Sequence, residues 1–195
     1  MKVIRYTLWG AALIALVVAA VHQYSHFLGT DSEEVNGFQP IFTLVNHRGE
    51  TVSEANYRDG WALVFFGFTN CPDICPTTLA EFADVMDGLG DTADQLTPIF
   101  ITVDPERDRV ENLAKYVSAF HPSIVGLTGT DQQIADAAKS FKVYFERIPQ
   151  DTAPDGYTMG HASAVYLISP EGNFVRTYQF GTSPEMIVED LKTRI

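Results

Sequence analysis

Positive charge and cysteine are both scarce in this chain of 195 residues, and each shortage excludes a class of protein. The 13 lysines and arginines are outnumbered by 25 aspartates and glutamates, and the net charge of −12 argues against nucleic-acid binding. No cysteine falls within residues 1–30, which excludes a lipoprotein anchor there. A hydrophobic fraction of 46% excludes a disordered chain, and the length suits one domain with a substantial core.

The N-terminal segment is apolar and free of charge between Arg5 and Asp31. Its most apolar part, residues 8–21, is shorter than the ~20 residues that a bilayer requires, but extension through residues 22–27 gives a full span. We therefore expect a retained single-pass membrane anchor over residues 1–29. A cleaved signal peptide is the alternative, because a basic start and an apolar stretch are common to both.

Both alternatives export the remainder of the chain. Lys2 and Arg5 stay on the inner side by the positive-inside rule, which places the rest on the far side of the membrane. Residues 30–37 are polar and acidic and are predicted to be a linker, followed by one domain over residues 38–195. The compact N-terminus suits a bacterial inner membrane with a periplasmic domain, since a mitochondrial precursor would show a longer Arg- and Ser-rich transit peptide.

The domain is predicted to be a mixed α/β sandwich with a small N-terminal hairpin in residues 40–53. Two unbroken apolar runs, residues 62–67 and 98–103, are typical of strands buried on both faces of a sheet. The other predicted elements are helices at 77–89, 110–120, 130–141 and 183–192, strands at 124–127, 164–168 and 174–180, an extended segment at 142–147 and a loop at 149–157.

The two cysteines, Cys71 and Cys75, lie in the segment FTNCPDICPTT between the first buried strand and a helix. A helix N-terminus carries partial positive charge, which favours thiolate over thiol. A purely structural disulfide is the simpler interpretation, but closing so short a loop contributes little stability. Two exposed thiols at such a junction more often serve redox chemistry or bind a metal.

Two thiolates are soft ligands that select Cu(I), and a defined site needs a third ligand. Among the histidines, His22 and His26 belong to the N-terminal apolar segment, His47 to a hairpin turn and His121 to a helix end. His161 differs from them, because it precedes a predicted buried strand and follows a long loop that can fold back over the cysteines. His161 is therefore the candidate third ligand.

Three motifs occur in an order that resembles the Sco/SenC family of copper-handling proteins: CPDICP, VDPERD and GHASAVYLISPEG. The resemblance extends from about residue 38 to the C-terminus. It implies a thioredoxin-like α/β fold and one copper ion, as Cu(I) or Cu(II), bound by Cys71, Cys75 and His161. It also implies a role in building the CuA centre of cytochrome c oxidase, as copper donor or as thiol reductase. The expected partner is the CuA-bearing subunit or another copper protein.

Three further residues lie close to these motifs. The resemblance points to Asp104 as a secondary residue for redox tuning or partner contact, and the alternative is a turn-forming Asp before Pro105. Asp73 lies between the cysteines and is expected to be a solvated charge. Met159 is expected to pack in the core rather than to bind metal.

Other functions remain in competition with a copper chaperone. In an exported thiol–disulfide oxidoreductase Cys71 would be the nucleophile. Against that function stand the CxxxC spacing and the pair Gly160 and His161 where thioredoxin-like reductases resemble one another in carrying a cis-proline. A peroxiredoxin is disfavoured, because the PxxxTxxC signature is missing around Cys71. A redox-silent metal sensor is a further alternative.

Overall fold

Two buried parallel strands form the centre of a seven-stranded sheet in the computed structural model, which describes residues 38–195. The predicted anchor (residues 1–29) and linker (residues 30–37) lie outside the described residues. Among residues 38–195, no helix has both the length and the apolar character that crossing a bilayer requires.

The large sheet has the strand order β2-β1-β5-β4-β3-β8-β9, and β6 pairs with β7 in a separate antiparallel ribbon. Strands β3, β4 and β5 are mutually parallel, and β1, β8 and β9 join antiparallel on either side. The bounds are β1 Thr43–Asn46, β2 Thr51–Ser53, β3 Trp61–Gly67, β4 Leu96–Thr102, β5 Val125–Thr128, β6 Phe145–Pro149, β7 Tyr157–His161, β8 Val165–Ile168 and β9 Phe174–Tyr178.

Local capping signals set the ends of several helices. Thr130 accepts a hydrogen bond from the backbone N–H of Gln133, and Ser183 does the same for Met186, so each of these helices begins at a side-chain N-cap. Gly90 ends the first helix with a φ of +56°, a conformation that glycine adopts without strain. The helices are α1 Ile74–Leu89, α2 Val110–Ser118, α3 Asp131–Ser140 and α4 Pro184–Lys192.

The two apolar runs of the sequence form the centre of the hydrophobic core. Leu63, Phe65 and Phe66 of β3 are fully buried, as are Phe100 and Ile101 of β4. Burial on both faces is what a parallel pair in the centre of an α/β sheet requires. Because the strands pair in register to their last residues, the segments that leave β3 and β4 emerge side by side at one edge.

Two element starts differ from the predicted ones by three residues. Helix α1 begins at Ile74 instead of residue 77, because Pro76 is compatible with a first helical turn, where its missing N–H costs nothing. Cys75 therefore lies inside the helix. The extended segment predicted from Lys142 begins at Phe145, since Lys142 has a φ of +59°.

The sequence prediction missed β7 altogether. Residues 157–161 were expected to be the end of a loop and the approach to a strand, yet they pair with β6 from Tyr157 to His161. In β7 only Tyr157 and Met159 are buried, and Gly160 follows them, so the apolar alternation is too short to predict a strand.

Candidate metal centre

The cysteine loop, residues 68–73, connects the end of β3 to the start of α1. The Cys71 N–H donates to the carbonyl of Phe68 at 3.2 Å, and the Thr77 N–H donates to the carbonyl of Asp73 at 3.2 Å. The backbone N–H of Cys75 points at the Cys71 sulfur, with a distance of 3.4 Å. The start of the helix thus presents an N–H group to a thiolate, as predicted from the strand–helix junction.

The two thiols differ in exposure, which corrects the expectation that both are exposed. Cys71 is half-buried, whereas Cys75 has a relative exposure of 0%, because the early start of α1 turns its side chain into the core. Both are free thiols. A Cβ on Gly67 would lie 2.8 Å from the Cys75 sulfur, so the glycine leaves room for that side chain.

The environment separates the two thiols in acidity as well. A hydrogen bond with Cys75 lowers the pKa of Cys71 to about 4, assisted by the His161 ring and by backbone N–H groups and opposed by burial. The same contact and complete burial raise the pKa of Cys75. Cys71 is therefore the thiolate of the pair in the metal-free state, and Cys75 holds the proton.

His161, the last residue of β7, reaches the cysteines from the separate ribbon. Its Nε2 atom lies 3.7 Å from the Cys75 sulfur, and its Nδ1 atom lies 2.9 Å from the carbonyl oxygen of Ala162. A carbonyl can only accept, so Nδ1 carries a proton, and Nε2 is the ring nitrogen that faces the thiols. The rings of Phe65 and Phe68 stand edge-on to the imidazole, with centroids at 5.8 and 5.9 Å.

The spacing of this pair suits two ligands of one metal ion. Bonds of about 2.3 Å to sulfur and about 2.0 Å to imidazole, as at zinc sites, place sulfur and nitrogen about 3.7 Å apart at a trigonal angle. The other described histidines are engaged elsewhere, since His47 accepts from the Gly126 N–H and His121 from the Ser123 N–H. Over residues 38–195, no group of three or more His, Cys, Asp or Glu side chains is already arranged as a metal site.

Asp104 lies behind the centre and does not contact the sulfurs through any described bond. Its side chain is buried, forms an ion pair with the Arg107 Nε, and accepts a hydrogen bond from the Tyr157 hydroxyl at 2.9 Å. Its carbonyl accepts the Asp108 N–H at 2.9 Å, so it also shapes the turn, as the alternative prediction held. The expected packing role of Met159 agrees with its burial, and Asp73 is exposed as expected of a solvated charge.

Sequence reasoning missed Asp108, the second aspartate of VDPERD. Its carboxylate is completely buried and accepts three hydrogen bonds, two of them from Thr69 in the segment between β3 and Cys71. The signal was present in the sequence as a second acidic residue in a turn that follows a buried strand. Nothing in the sequence indicated that this residue, rather than Asp104, touches the cysteine loop.

Comparison with known proteins identifies the family. The model of the SCO1/SenC family matches residues 30–195. The chain belongs to this family. The SCO2 homologue of mouse mitochondria is 42% identical over 159 residues, which is 80% of this chain and 62% of the relative. A SCO2-like protein of Rickettsia conorii is 36% identical over 151 residues, 77% of this chain and 74% of the relative.

Solved Sco structures share the fold. ScoI of Bradyrhizobium japonicum with copper bound is 36% identical, has a TM-score of 0.75, and the match covers 81% of this chain and 99% of that one. Yeast Sco1 with copper bound is 37% identical with a TM-score of 0.70, over 82% and 91% of the two chains. The thioredoxin-like α/β fold is confirmed. This SCO1/SenC chain spans about three fifths of its mammalian relatives, 62% of the mouse and 58% of the human SCO2 homologue.

Proposed function

We propose that this chain is a copper metallochaperone that binds one copper ion, as Cu(I) or Cu(II), through Cys71, Cys75 and His161. It delivers the ion to the CuA-bearing subunit of cytochrome c oxidase or to another copper protein. Copper is the cofactor that the copper-bound structures of related Sco proteins support. One relative is described as a member of the Sco family of cytochrome c oxidase assembly proteins, which supports the assembly role.

The contact between Cys75 and His161 carries this proposal. A sulfur and an imidazole nitrogen 3.7 Å apart supply two of the three donors of a soft, low-coordinate site. The Cys71 thiolate, in contact with both groups, supplies the third donor and the charge that balances a monovalent cation. Because the three donors are not yet arranged as a metal site, we expect a rotation of the half-buried Cys71 side chain on metal binding.

The chemistry of the donors also suggests how the cargo leaves. Cys71 is the more exposed sulfur, so a thiolate of the partner can reach the ion beside it, while Cys75 and His161 hold the ion from within. Exchange of one thiolate for another conserves charge at each step and needs no redox change. Cu(II), a harder ion, would recruit an additional oxygen or nitrogen ligand.

Residues 1–29 are proposed to anchor the protein in a bacterial inner membrane by one pass, and residues 30–37 to tether the domain. The domain over residues 38–195 would then lie in the periplasm, facing partners at the membrane surface. This arrangement rests on the uncharged N-terminal stretch and on the positive-inside rule.

A thiol–disulfide reductase is the second candidate, favoured by one observation. The two free thiols are in contact, one ionised and half-buried and the other protonated and fully buried, as an attacking and a resolving thiol should be. A disulfide switch is described for a Sco relative that is 27% identical. In this role Cys71 attacks a disulfide of the partner, and Cys75 then displaces the partner thiolate to leave a Cys71–Cys75 disulfide.

Copper affinity separates the two functions. The full chain, purified in detergent and reduced, is titrated with Cu(I) in competition with bicinchoninate, beside the variants His161→Ala and His121→Ala. We expect one tightly bound ion in the wild type and in His121→Ala, whose imidazole lies in another part of the fold. His161→Ala should lose at least about tenfold in affinity, because it removes a ligand.

Two results would overturn the chaperone. One is a wild type that binds Cu(I) no better than an unstructured dithiol peptide. The other is equal affinity in His161→Ala and wild type. Turnover of a disulfide substrate that persists in His161→Ala would then favour the reductase, since dithiol exchange does not require the imidazole.

A further inference from the structure

Asp108 closes the turn formed by residues 104–108, directly beyond the end of β4. Its carboxylate accepts the Thr69 N–H at 2.9 Å, the Thr69 hydroxyl at 2.5 Å and the Thr102 hydroxyl at 2.6 Å. Its own carbonyl accepts the Thr128 hydroxyl at 2.9 Å. The carboxylate therefore fastens the start of the cysteine loop to the end of β4, and the backbone carbonyl of the same residue is joined to β5.

Stability alone does not explain a carboxylate in this position. The side chain is fully buried, its three hydrogen-bond donors are neutral, and burial raises the pKa of Asp108. Buried charges without an opposite charge usually destabilise a fold relative to an apolar residue of similar size. The carboxylate instead has a positioning role. It fixes the backbone of Thr69, two positions before Cys71, relative to the sheet.

Two other residues of the same turn, Asp104 and Arg107, hold the ribbon that carries His161. The Arg107 Nη1 donates to the carbonyls of Pro154 at 3.1 Å and Tyr157 at 3.2 Å, and its guanidinium lies 3.8 Å from the centroid of the Tyr157 ring. Asp104 accepts from the hydroxyl of the same tyrosine. Tyr157 is the first residue of β7, and His161 is the last.

We propose that the 104–108 turn is a positioning element of the metal centre. Asp108 fixes the cysteine loop through Thr69, and Arg107 fixes the ribbon through Tyr157, so one rigid turn sets the spacing between the thiols and the imidazole. This inference rests on the proposed function, since it assigns the support of the proposed copper ligands. Asp108 and Thr69 are positioning residues and do not themselves bind the metal.

The decisive variants are at Thr69, because Asp108→Ala removes all three hydrogen bonds at once and risks unfolding. Thr69→Val removes the hydroxyl at nearly constant shape, and Thr69→Ser retains it. Thr128→Val is the matched control, since it removes a hydrogen bond to the same aspartate on the side away from the loop. Each full-chain variant is titrated with Cu(I) against bicinchoninate, and the Cu(II)–thiolate absorption band is recorded.

We expect Thr69→Val to lose about tenfold in Cu(I) affinity, as is usual when a residue that orients a ligand is removed, and to shift the Cu(II)–thiolate band. Thr69→Ser should restore both properties, and Thr128→Val should leave both unchanged. In the metal-free protein, amide hydrogen exchange of residues 69–75 should accelerate in Thr69→Val relative to the rest of the sheet.

The inference is overturned if Thr69→Val matches Thr128→Val in affinity, absorption and loop exchange, since the carboxylate would then serve stability alone. Failure of the proposed function gives a different pattern. If the wild type binds no copper, amide hydrogen exchange of Thr69→Val still tests the positioning role. Acceleration confined to residues 69–75 supports it, and uniform or unchanged exchange refutes it.

Discussion

The cysteine loop and the β6–β7 ribbon bring the proposed ligands together from opposite kinds of structure. The loop grows directly out of β3, whose last six residues are buried, and continues into α1 with backbone hydrogen bonds at both ends. The ribbon stands outside the main sheet, and four of the five residues of β6 are exposed. The comparison teaches that the cysteine half is continuous with the packed core of the sheet and has one side-chain anchor at Asp108, whereas the histidine half depends on side-chain contacts from outside its own ribbon.

The two halves of the site therefore depend on different interactions. The cysteine loop depends on the packing of the sheet edge, where Gly67 and Phe100 leave a tight space for the Cys75 sulfur. The ribbon depends on a small set of polar and ring contacts to Tyr157, made by Asp104 and Arg107. Perturbing either set should therefore leave the other half largely intact, which makes the comparison testable.

The largest expected effect concerns the two thiols of the loop. In the reduced, metal-free chain at pH 6, iodoacetamide should modify Cys71 at least about 100-fold faster than Cys75, which is buried and protonated. Because the pKa of Cys71 is lowered to about 4, its thiolate is complete from pH 8 to pH 6 and the rate should be flat there. The rate should fall only as the pH drops through about 4.

Mass spectrometry of the modified peptides checks this result. His161→Ala should keep most of the selectivity, because the largest cause of the lowered Cys71 pKa is the hydrogen bond with Cys75, within the loop. A tenfold fall in rate for each pH unit between pH 8 and pH 6 would be the behaviour of an ordinary thiol and would contradict the prediction. Loss of selectivity in His161→Ala would mean that the ribbon, not the loop, sets the acidity.

The cysteine loop and the ribbon also differ in how well the sequence predicts them. The apolar runs at 62–67 and 98–103 specified β3 and β4 almost to the residue, because burial on both faces leaves an unbroken apolar pattern. The junction of strand and helix therefore placed both cysteines at the sheet edge. The burial of Cys75 was missed, because it depends on α1 starting one turn earlier than its apolar periodicity indicates.

Gly67→Ala should give the second-largest effect, confined to the loop half. A Cβ there would lie 2.7 Å from a ring carbon of Phe100 and 2.8 Å from the Cys75 sulfur, both inside the packed core. Relieving such overlaps costs about 2–3 kcal/mol in a well-packed interior. The free energy of unfolding, measured by urea denaturation, should fall by that amount, and Cys75 should become accessible to iodoacetamide.

Gly88→Ala is the matched control in the same neighbourhood of the chain. Its Cβ would lie 2.9 Å from a methyl carbon of Val188, a branched side chain with little freedom to rotate in a helix. The gain of about 1 kcal/mol in helix propensity opposes this single overlap, so the loss of stability should be clearly smaller than in Gly67→Ala, and Cys75 should stay inaccessible to iodoacetamide. Equal destabilisation by both substitutions would show that the packing around Cys75 is no tighter than around Gly88, and it would contradict the prediction.

The position of His161 could not be predicted in the same way. Its motif indicated a ligand by resemblance, but the apolar alternation of β7 is limited to Tyr157 and Met159, and its attachment to the 104–108 turn joins residues about fifty positions apart. Asp104 was singled out by the resemblance, and the structure gives it a contact with Tyr157. Asp108, which holds the other half, looked like an ordinary turn residue.

Tyr157→Phe should have the smallest effect of the three, and it should fall on the ribbon. The change removes the hydroxyl that donates to Asp104 at 2.9 Å and leaves the ring to stack with Arg107. A buried acceptor that loses its partner costs about 1–2 kcal/mol, so the free energy of unfolding should fall by that amount. Amide hydrogen exchange should accelerate over β6 and β7 and stay unchanged at residues 69–75, whose anchor is Asp108.

Glu106→Gln is the control for Tyr157→Phe, because it breaks a surface ion pair with the same ribbon. Glu106 forms an ion pair with Arg147 of β6 across the same turn, but both side chains are exposed, at 62% and 52%. Solvated ion pairs contribute little, so the urea midpoint and the exchange of the ribbon should not change measurably. If Glu106→Gln loosened the ribbon as much as Tyr157→Phe, the surface pair would hold His161 in place, and the contrast between a packed loop and a ribbon fixed by buried polar contacts would fail.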